Sequence, residues 1–216
     1  MTEQDKIIEL NELETYYNNL LLMGETQFTY KDFLISKNED GLWRLDRYVA
    51  NKKNLNYATV YIPEFIQIIG HGAFLGYEED ISNIILPEGL LIIEPRAFYA
   101  IYLDSIRLPS TLKEIGHESF SNCGFSNIFI PDSVTNIGYY AFSYNSNLRY
   151  ISMPYGVSID EGAFAWCGDS VGLEEINLVI RTANGTKPYY QVHNYIKKHP
   201  DIFQGSIFYD MMIDED

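Results

Sequence analysis

The chain has 216 residues, enough for one compact domain or one short solenoid with a continuous core. Its 46% hydrophobic content excludes wholesale disorder. Thirty acidic against fifteen basic residues give a net charge of −15, which argues against binding to nucleic-acid phosphates or to anionic lipid. The sequence has no apolar run of the roughly 20 residues that a membrane helix needs. The N-terminus lacks the features of a signal peptide, so we expect a cytoplasmic protein.

The first predicted element is a helix over residues 2–23 that ends at Gly24. Its apolar residues fall on one face at helical spacing, namely Leu10, Leu13, Tyr17, Leu20 and Leu21. A hairpin is predicted next, from Phe28 through Ile35 and from Leu42 to Leu45, with a turn at Asp40-Gly41. Residues 1–55 are therefore predicted to form an N-terminal cap.

The middle of the chain repeats a pattern of prolines and phenylalanines. Five prolines follow short β-rich runs at spacings of 24, 22, 22 and 23 residues: Pro63, Pro87, Pro109, Pro131 and Pro154. A phenylalanine stands 11 residues after each of the first four and 10 after the fifth, namely Phe74, Phe98, Phe120, Phe142 and Phe164. One such unit cannot bury its own apolar residues, whereas stacked units share a core, so the pattern predicts a solenoid over residues 56–180.

Each run before a proline alternates apolar and polar residues. This alternation predicts a strand with one face in the core and one face outward, which the proline ends because it has no N–H to donate. The small residue and the phenylalanine are expected to turn the chain through the other side of the coil. Residues 181–216 are predicted to form a second cap, with a helix from Pro188 to about Lys198, a strand from Ser206 to Met212 and a solvated acidic tail.

The unit from Ile128 to Phe142, with the sequence IFIPDSVTNIGYYAF, resembles the repeat of the BspA-like leucine-rich repeat family. The resemblance covers roughly residues 28–179. It implies an α/β solenoid, a short leucine-rich-repeat β-solenoid, to which we add helical caps at both ends and an N-terminal β-hairpin. Many members of that family are secreted or surface-bound adhesins, and members usually carry a cysteine three residues after the phenylalanine.

Cys123 and Cys167 occupy that cysteine position in repeats two apart. Neighbouring strands lie about 4.8 Å apart, which puts the two Cα atoms about 10 Å apart, beyond the about 7 Å that a disulfide tolerates. We therefore expect both cysteines to be buried and reduced. His71 and His117 are likewise two repeats apart, too far to share a metal ion.

No arrangement of nucleophile, base and orienting group stands out in the sequence. Gly70-His71-Gly72 is not accompanied by a Gly-x-Ser-x-Gly motif, and a phosphate-binding loop is missing. We expect a protein that is not an enzyme, with no cofactor and no metal site.

The outward strand positions, two and four residues before each proline, carry the first candidate site. Tyr61, Ile85, Phe129 and Tyr150 predict an apolar and aromatic stripe with Arg107 in its middle. Exposed contiguous apolar surface marks binding sites, with aromatic residues and arginine as anchors. The residues predicted to contact a partner protein of unknown identity are Tyr61, Ile85, Arg107, Phe129, Tyr150, Ser152 and Asn177. The alternative is that the caps or a second copy cover the stripe.

The second candidate surface is acidic and lies on turns and edges of the repeats. Its residues are Glu78, Glu79, Asp80, Asp160, Glu161, Asp169, Glu174 and Glu175. Such charges commonly only keep a protein soluble. They also suit an inhibitor or immunity protein that imitates a phosphate backbone and blocks a nuclease or another nucleic-acid-handling enzyme, steered by charge. A cell-surface adhesin is the further alternative, from the family resemblance.

Overall fold

The computed structural model describes residues 3–51, 58–77, 80–103, 105–168, 177–182, 185–186 and 200–202. Its one helix in these ranges, α1 (Glu3–Leu22), confirms the predicted N-terminal helix. Leu13 and Tyr17 are buried in the core and Leu20 packs against it. Leu10 and Leu21 are exposed instead, so the buried face of α1 is narrower than predicted.

Three antiparallel strands follow the helix: β1 (Gln27–Tyr30), β2 (Phe33–Lys37) and β3 (Trp43–Tyr48). The predicted single hairpin is therefore a three-stranded meander. The chain turns at Lys31, which has a φ of 54°, and turns again before Gly41, which has a φ of 78°. In the second turn the side-chain Oδ1 of Asn38 accepts hydrogen bonds from the backbone N–H groups of Asp40 and Leu42.

The meander continues directly into the parallel coil. Strand β3 pairs with the first of five two-residue strands, which are β5 (Ile68–Ile69), β7 (Ile92–Ile93), β8 (Glu114–Ile115), β10 (Asn136–Ile137) and β12 (Ser158–Ile159). Together they form an eight-stranded sheet in the order β1-β2-β3-β5-β7-β8-β10-β12. This sheet was not predicted. It places a repeating isoleucine in the core, because Ile69, Ile93, Ile115 and Ile137 are fully buried.

The strands before the prolines form the outward sheets. Strands β4 (Ala58–Tyr61) and β6 (Ile81–Ile85) pair in parallel. A second, four-stranded sheet contains β9 (Asn127–Phe129), β11 (Tyr150–Pro154), β13 (Asn177–Thr182) and β14 (Gly185–Thr186). Its strand order is β14-β13-β11-β9.

The strand predicted before Pro109 does not form among the described residues, where a single bridge joins Asn83 to Ser105. Ile106 and Leu108 are nevertheless buried. Exposed and buried residues therefore alternate at this turn of the coil, although no continuous hydrogen-bonded strand forms there.

A column of phenylalanine rings runs through the coil, with one ring in each turn. Each turn of the coil is called a rung. Phe74, Phe98, Phe120, Phe142 and Phe164 are fully buried, and consecutive ring centroids lie 5.1, 5.2, 5.3 and 5.1 Å apart. The Tyr48 ring of β3 extends the column, with its centroid 5.3 Å from that of Phe74. This column confirms that the repeats stack around a shared core.

Both cysteines are buried and free, as the repeat spacing predicts. Burial raises the pKa of the Cys123 thiol and raises that of the Cys167 thiol to about 12. Each Sγ–H donates to the carbonyl of a phenylalanine in the previous rung, Cys123 to Phe98 at 3.1 Å and Cys167 to Phe142 at 3.0 Å. The cysteines are therefore packing residues that also tie one rung to the next.

The last described rung finds its ladder partners in residues 200–202. The N–H of Phe164 donates to the carbonyl of Ile202 at 3.0 Å, and that of Gly162 donates to Asp201 at 2.8 Å. Ile202 thus takes the acceptor role that Ala163 has for Phe142 one rung earlier. The predicted helix 188–198, strand 206–212 and acidic tail lie outside the described residues. Within the described part of the chain, no helix has the length and apolar character to cross a membrane.

Candidate interaction surface on the outward strands

The first outward patch lies on strands β4 and β6. Tyr61 and Ile85 are direct partners in the parallel register, so their side chains stand side by side on the outward face. They are 71% and 44% exposed. This pair is a small apolar surface at the start of the coil.

The second outward patch lies on strands β9 and β11. Phe129 is 61% exposed, although it stands at the end of a paired strand. Its ring centroid lies 5.3 Å from that of Tyr150, which is half-buried. The two rings come from neighbouring rungs and form one continuous aromatic surface.

Arg107 stands in the rung between the two patches. Its side chain is 93% exposed, and the guanidinium Nη2 lies 3.9 Å from Oε1 of Glu88. An ion pair this long and this exposed contributes little to stability. Arg107 therefore presents its charge to solvent between two apolar patches.

The structure corrects the predicted site at two points. Ser152 is only 2% exposed, so the prediction that it lies on the open face is wrong. The Ser152 side chain is short, and its strand β11 lies between β9 and β13. Residues of the two neighbouring strands, with Phe129 as the register partner on one side, therefore cover it. In addition, the stripe is two patches on separate sheets rather than one ladder. Asn177 aligns with Tyr150 in the register, but its side chain lies outside the described residues.

The exposure of Tyr61, Ile85 and Phe129 also bears on the alternative that the caps cover the stripe. These side chains are open, so the N-terminal cap does not cover them with the residues that the structure describes. Cover by the C-terminal cap, most of which lies outside the described residues, or by a second copy stays a prediction.

The acidic residues do not converge where they are described. Asp80 directly precedes β6, whereas Asp160 and Glu161 follow β12 on a different side of the rung. Asp80 and Asp160 are half-buried and Glu161 is exposed. The other five, Glu78, Glu79, Asp169, Glu174 and Glu175, lie outside the described residues.

The most connected charged group in the described chain is a set of ion pairs around Arg44. Its guanidinium contacts Asp46 and donates to Glu94, with an Nη2 to Oε2 distance of 2.7 Å. Burial alone would raise the pKa of Glu94, but the hydrogen bonds and charge of Arg44 outweigh it and the pKa is lowered. Glu94 also accepts the backbone N–H of His71. These contacts join rungs and lower the proton affinity of the Glu94 carboxylate, which makes it a weak general base near neutral pH.

The histidines do not assemble a metal site in the described chain. The Nδ1 atom of His117 lies 2.9 Å from the carbonyl of Tyr139, and His71 is exposed. Among the residues that the structure describes, no three His, Cys, Asp or Glu side chains form a group that could hold a metal ion.

A third surface, on the turns beside the phenylalanine column, was missed. Each rung has a positive φ two residues before and two residues after its phenylalanine. Glycine fills some of these positions (Gly72, Gly76 and Gly162), and other residue types fill the rest. Among them are three aromatic residues, Tyr140, Tyr144 and Trp166, with φ values of 53°, 58° and 52°. A bulky residue there costs about 1–2 kcal/mol. Aromatic residues at the repeat positions where glycine occurs elsewhere were the signal in the sequence.

A family model described as BspA type leucine rich repeat region matches residues 67–184 in six copies. No curated protein matches the chain significantly. The chain is similar in structure to a leucine rich cell surface protein from Faecalibacterium prausnitzii, with a TM-score of 0.58 and 22% identity over 78% of this chain and 42% of that one. A leucine-rich repeat protein from Bacteroides ovatus is 29% identical, with a TM-score of 0.51 over 73% of this chain and 40% of that one.

The leucine rich repeat protein of T. pallidum is 22% identical, with a TM-score of 0.53, and covers 84% of this chain with 100% of its own length. These likenesses confirm the predicted solenoid fold. The chain spans only about two fifths of the first two structures, at 42% and 40% of their lengths.

Proposed function

The chain belongs to the BspA-type leucine-rich-repeat family, and from this premise we propose that it is a non-enzymatic module that binds a partner protein through its outward strands. The observation that carries the proposal is the exposure of Phe129, 61% at the end of a paired strand and in ring contact with Tyr150. A strand face that only had to be soluble would carry polar side chains at that position.

The composition of the two patches fits a protein partner. Tyrosine, phenylalanine and arginine are enriched at protein interfaces, and a few such residues carry most of the binding energy. The stacked rungs hold the patches on a rigid backbone, so binding is expected to need little change of shape. Tyr61, Ile85, Arg107, Phe129 and Tyr150 are the proposed contact residues.

Capture from a lysate of the source cells tests the proposal. Immobilised wild-type chain is compared with Phe129→Asp and with the control Tyr155→Asp, which introduces the same charge at an equally exposed aromatic residue, 61% in both cases. A partner retained by wild type and control after a wash at about 1 M salt, where the Debye length is about 3 Å, and lost by Phe129→Asp supports the strand face. Equal retention by all three would contradict it.

The acidic inhibitor is the second candidate, and the net charge of −15 favours it. Exposed charges act over about 8 Å at physiological salt. A partner that all three chains capture at low salt and release at high salt would favour an acidic surface instead. A nuclease or another nucleic-acid-handling enzyme in that fraction would identify the inhibitor.

The location of the protein in the cell is also part of what we propose. The Faecalibacterium prausnitzii protein is described as a cell surface protein, which keeps the adhesin as the further candidate, whereas the preferred proposal is a cytoplasmic protein. Fractionation of the source cells distinguishes the two: recovery in the soluble fraction agrees with the cytoplasmic proposal, and recovery at the surface would favour the adhesin.

A further inference from the structure

The turns beside the phenylalanine column carry an aromatic platform, defined here as Tyr140, Tyr144 and Trp166. The Trp166 ring is nearly parallel to both tyrosine rings: its centroid lies 6.0 Å from that of Tyr140 at 7° and 4.8 Å from that of Tyr144 at 16°. Tyr144 is 52% exposed and Trp166 is 38% exposed. The platform is thus a stack of parallel rings that is partly open to solvent.

The backbone conformation at these positions belongs to the repeat. All three residues have a positive φ, a conformation in which bulky side chains are strained. The equivalent positions are filled elsewhere by Gly72, Gly76 and Gly162, and also by Arg96, Ala100, Glu118 and Asn122. The repeat therefore imposes the conformation, and the feature particular to this site is three aromatic rings in neighbouring rungs.

A glycine shapes the platform from beneath. A Cβ atom added to Gly162 would collide with the Tyr140 ring, so the ring lies directly over that backbone. The backbone N–H of Tyr140 also donates to the carbonyl of Glu161 at 3.3 Å. The platform therefore borders the turn that carries Asp160 and Glu161.

The charge around the platform is mostly negative, which favours a cationic ligand. Between residues 114 and 168 the sequence has five acidic residues and one basic residue, Arg149, whose guanidinium donates to the carbonyls of Ser146 and Leu148. The carbonyl of Asp201, an exposed residue, accepts the N–H of Gly162. Nucleic-acid bases also stack on aromatic rings, but their phosphates would be repelled here.

We propose that the aromatic platform binds an arginine side chain of a basic protein segment. A guanidinium is planar and stacks on tryptophan and tyrosine rings through cation–π attraction, and nearby carboxylates strengthen it. This site is separate from the outward strands: it lies on the turns around Phe142 and Phe164, whereas the strand face carries Phe129 and Tyr150.

The test is a titration with two peptides of equal charge, acetyl-(Arg-Gly)3-amide and acetyl-(Lys-Gly)3-amide, at physiological salt. The indole N–H resonance of Trp166 reports binding by NMR, because the other tryptophan, Trp43, is only 4% exposed and serves as an internal control. Tyr144→Asn removes one ring and installs the residue that Asn122 shows to fit a positive φ. Phe129→Asn is the matched control on the strand face.

We expect the arginine peptide to shift the Trp166 resonance and to bind about 3-fold to 10-fold tighter than the lysine peptide. Tyr144→Asn should weaken that binding by a similar factor while its Tm stays equal or rises, and Phe129→Asn should leave the binding unchanged. Equal affinity for the two peptides, no Trp166 shift at millimolar peptide, or a Tyr144→Asn variant with lowered Tm and unchanged affinity would overturn the proposal.

Discussion

Asn145 stands at the repeat position where neighbouring rungs carry Cys123 and Cys167. Like the cysteines, it donates to the carbonyl of a phenylalanine in the previous rung, from Nδ2 to Phe120 at 2.9 Å. Its Oδ1 also accepts the backbone N–H groups of Cys123 and Gly124, both at 2.9 Å. A fully buried amide with every group paired fixes the spacing of two neighbouring rungs.

Asn145→Ala is expected to lower the free energy of unfolding by about 2–4 kcal/mol, because it leaves several buried backbone groups without partners. Urea denaturation followed by circular dichroism measures the change. Asn147→Ala is the control, since Asn147 makes its hydrogen bonds at the exposed surface. Equal effects of the two substitutions would show that the bonds of Asn145 do not hold the rungs.

Glu94 makes the stability of the folded protein depend on pH. Its pKa is lowered in the folded protein, so the folded state holds the carboxylate more strongly than the unfolded chain does. The resulting stability is present above the unfolded pKa of about 4.3 and is lost as the pH falls through the folded value. We expect Glu94→Gln to lower the Tm at pH 7 and to flatten its decline towards pH 3. A parallel decline in both proteins would contradict the ion pair's contribution.

At the scale of elements, the phenylalanine column stabilises the fold, whereas the outward strands are proposed to bind the partner. Phe120 is fully buried between two stacked rings, whereas Phe129 is 61% exposed. Phe120→Ala should cost about 3–5 kcal/mol of folding free energy through the cavity it leaves. Phe129→Ala should cost no more than about 0.5 kcal/mol, as surface substitutions usually do. Chemical denaturation of both variants measures this, and a large loss for Phe129→Ala would mean that the ring is structural.

The same division explains what the sequence could predict. The proline and phenylalanine spacing predicted the stacked rungs and the outward strands, because alternation and repetition express burial directly. The eight-stranded sheet was missed because five of its strands have two residues each, too short to show a period. The strand at Arg107 was predicted from the same alternation but did not form, since alternation reports burial and not hydrogen-bond pairing.

The burial and backbone conformation of single residues could not be predicted from the alternation of apolar and polar residues, because both depend on neighbouring strands and turns. Ser152 has the outward position of its strand but is buried, because a short side chain in an inner strand is covered by its surroundings. Tyr144 and Trp166 were missed because their positive φ is a property of the turn. Comparing each turn position across the repeats, glycine against aromatic, would have singled them out.

At the scale of the whole molecule, the coil is closed at its start by a different structure. Strand β3 belongs to the antiparallel meander on one side and pairs in parallel with β5 on the other. Tyr48 continues the ring column, and its backbone N–H donates to the carbonyl of Ala73 at 2.8 Å. A solenoid needs such an end because an open edge would pair with other chains.

The outward strands are proposed to bind the partner, and hydroxyl-radical footprinting of the captured complex tests this most directly. Oxidation reports the exposure of aromatic side chains, and Tyr61 and Phe129 are 71% and 61% exposed in the free chain. We predict that the partner protects these two residues and leaves Tyr16 and Tyr155, which are 53% and 61% exposed, unchanged. Unchanged oxidation of Tyr61 and Phe129 in a saturated complex would contradict the claim.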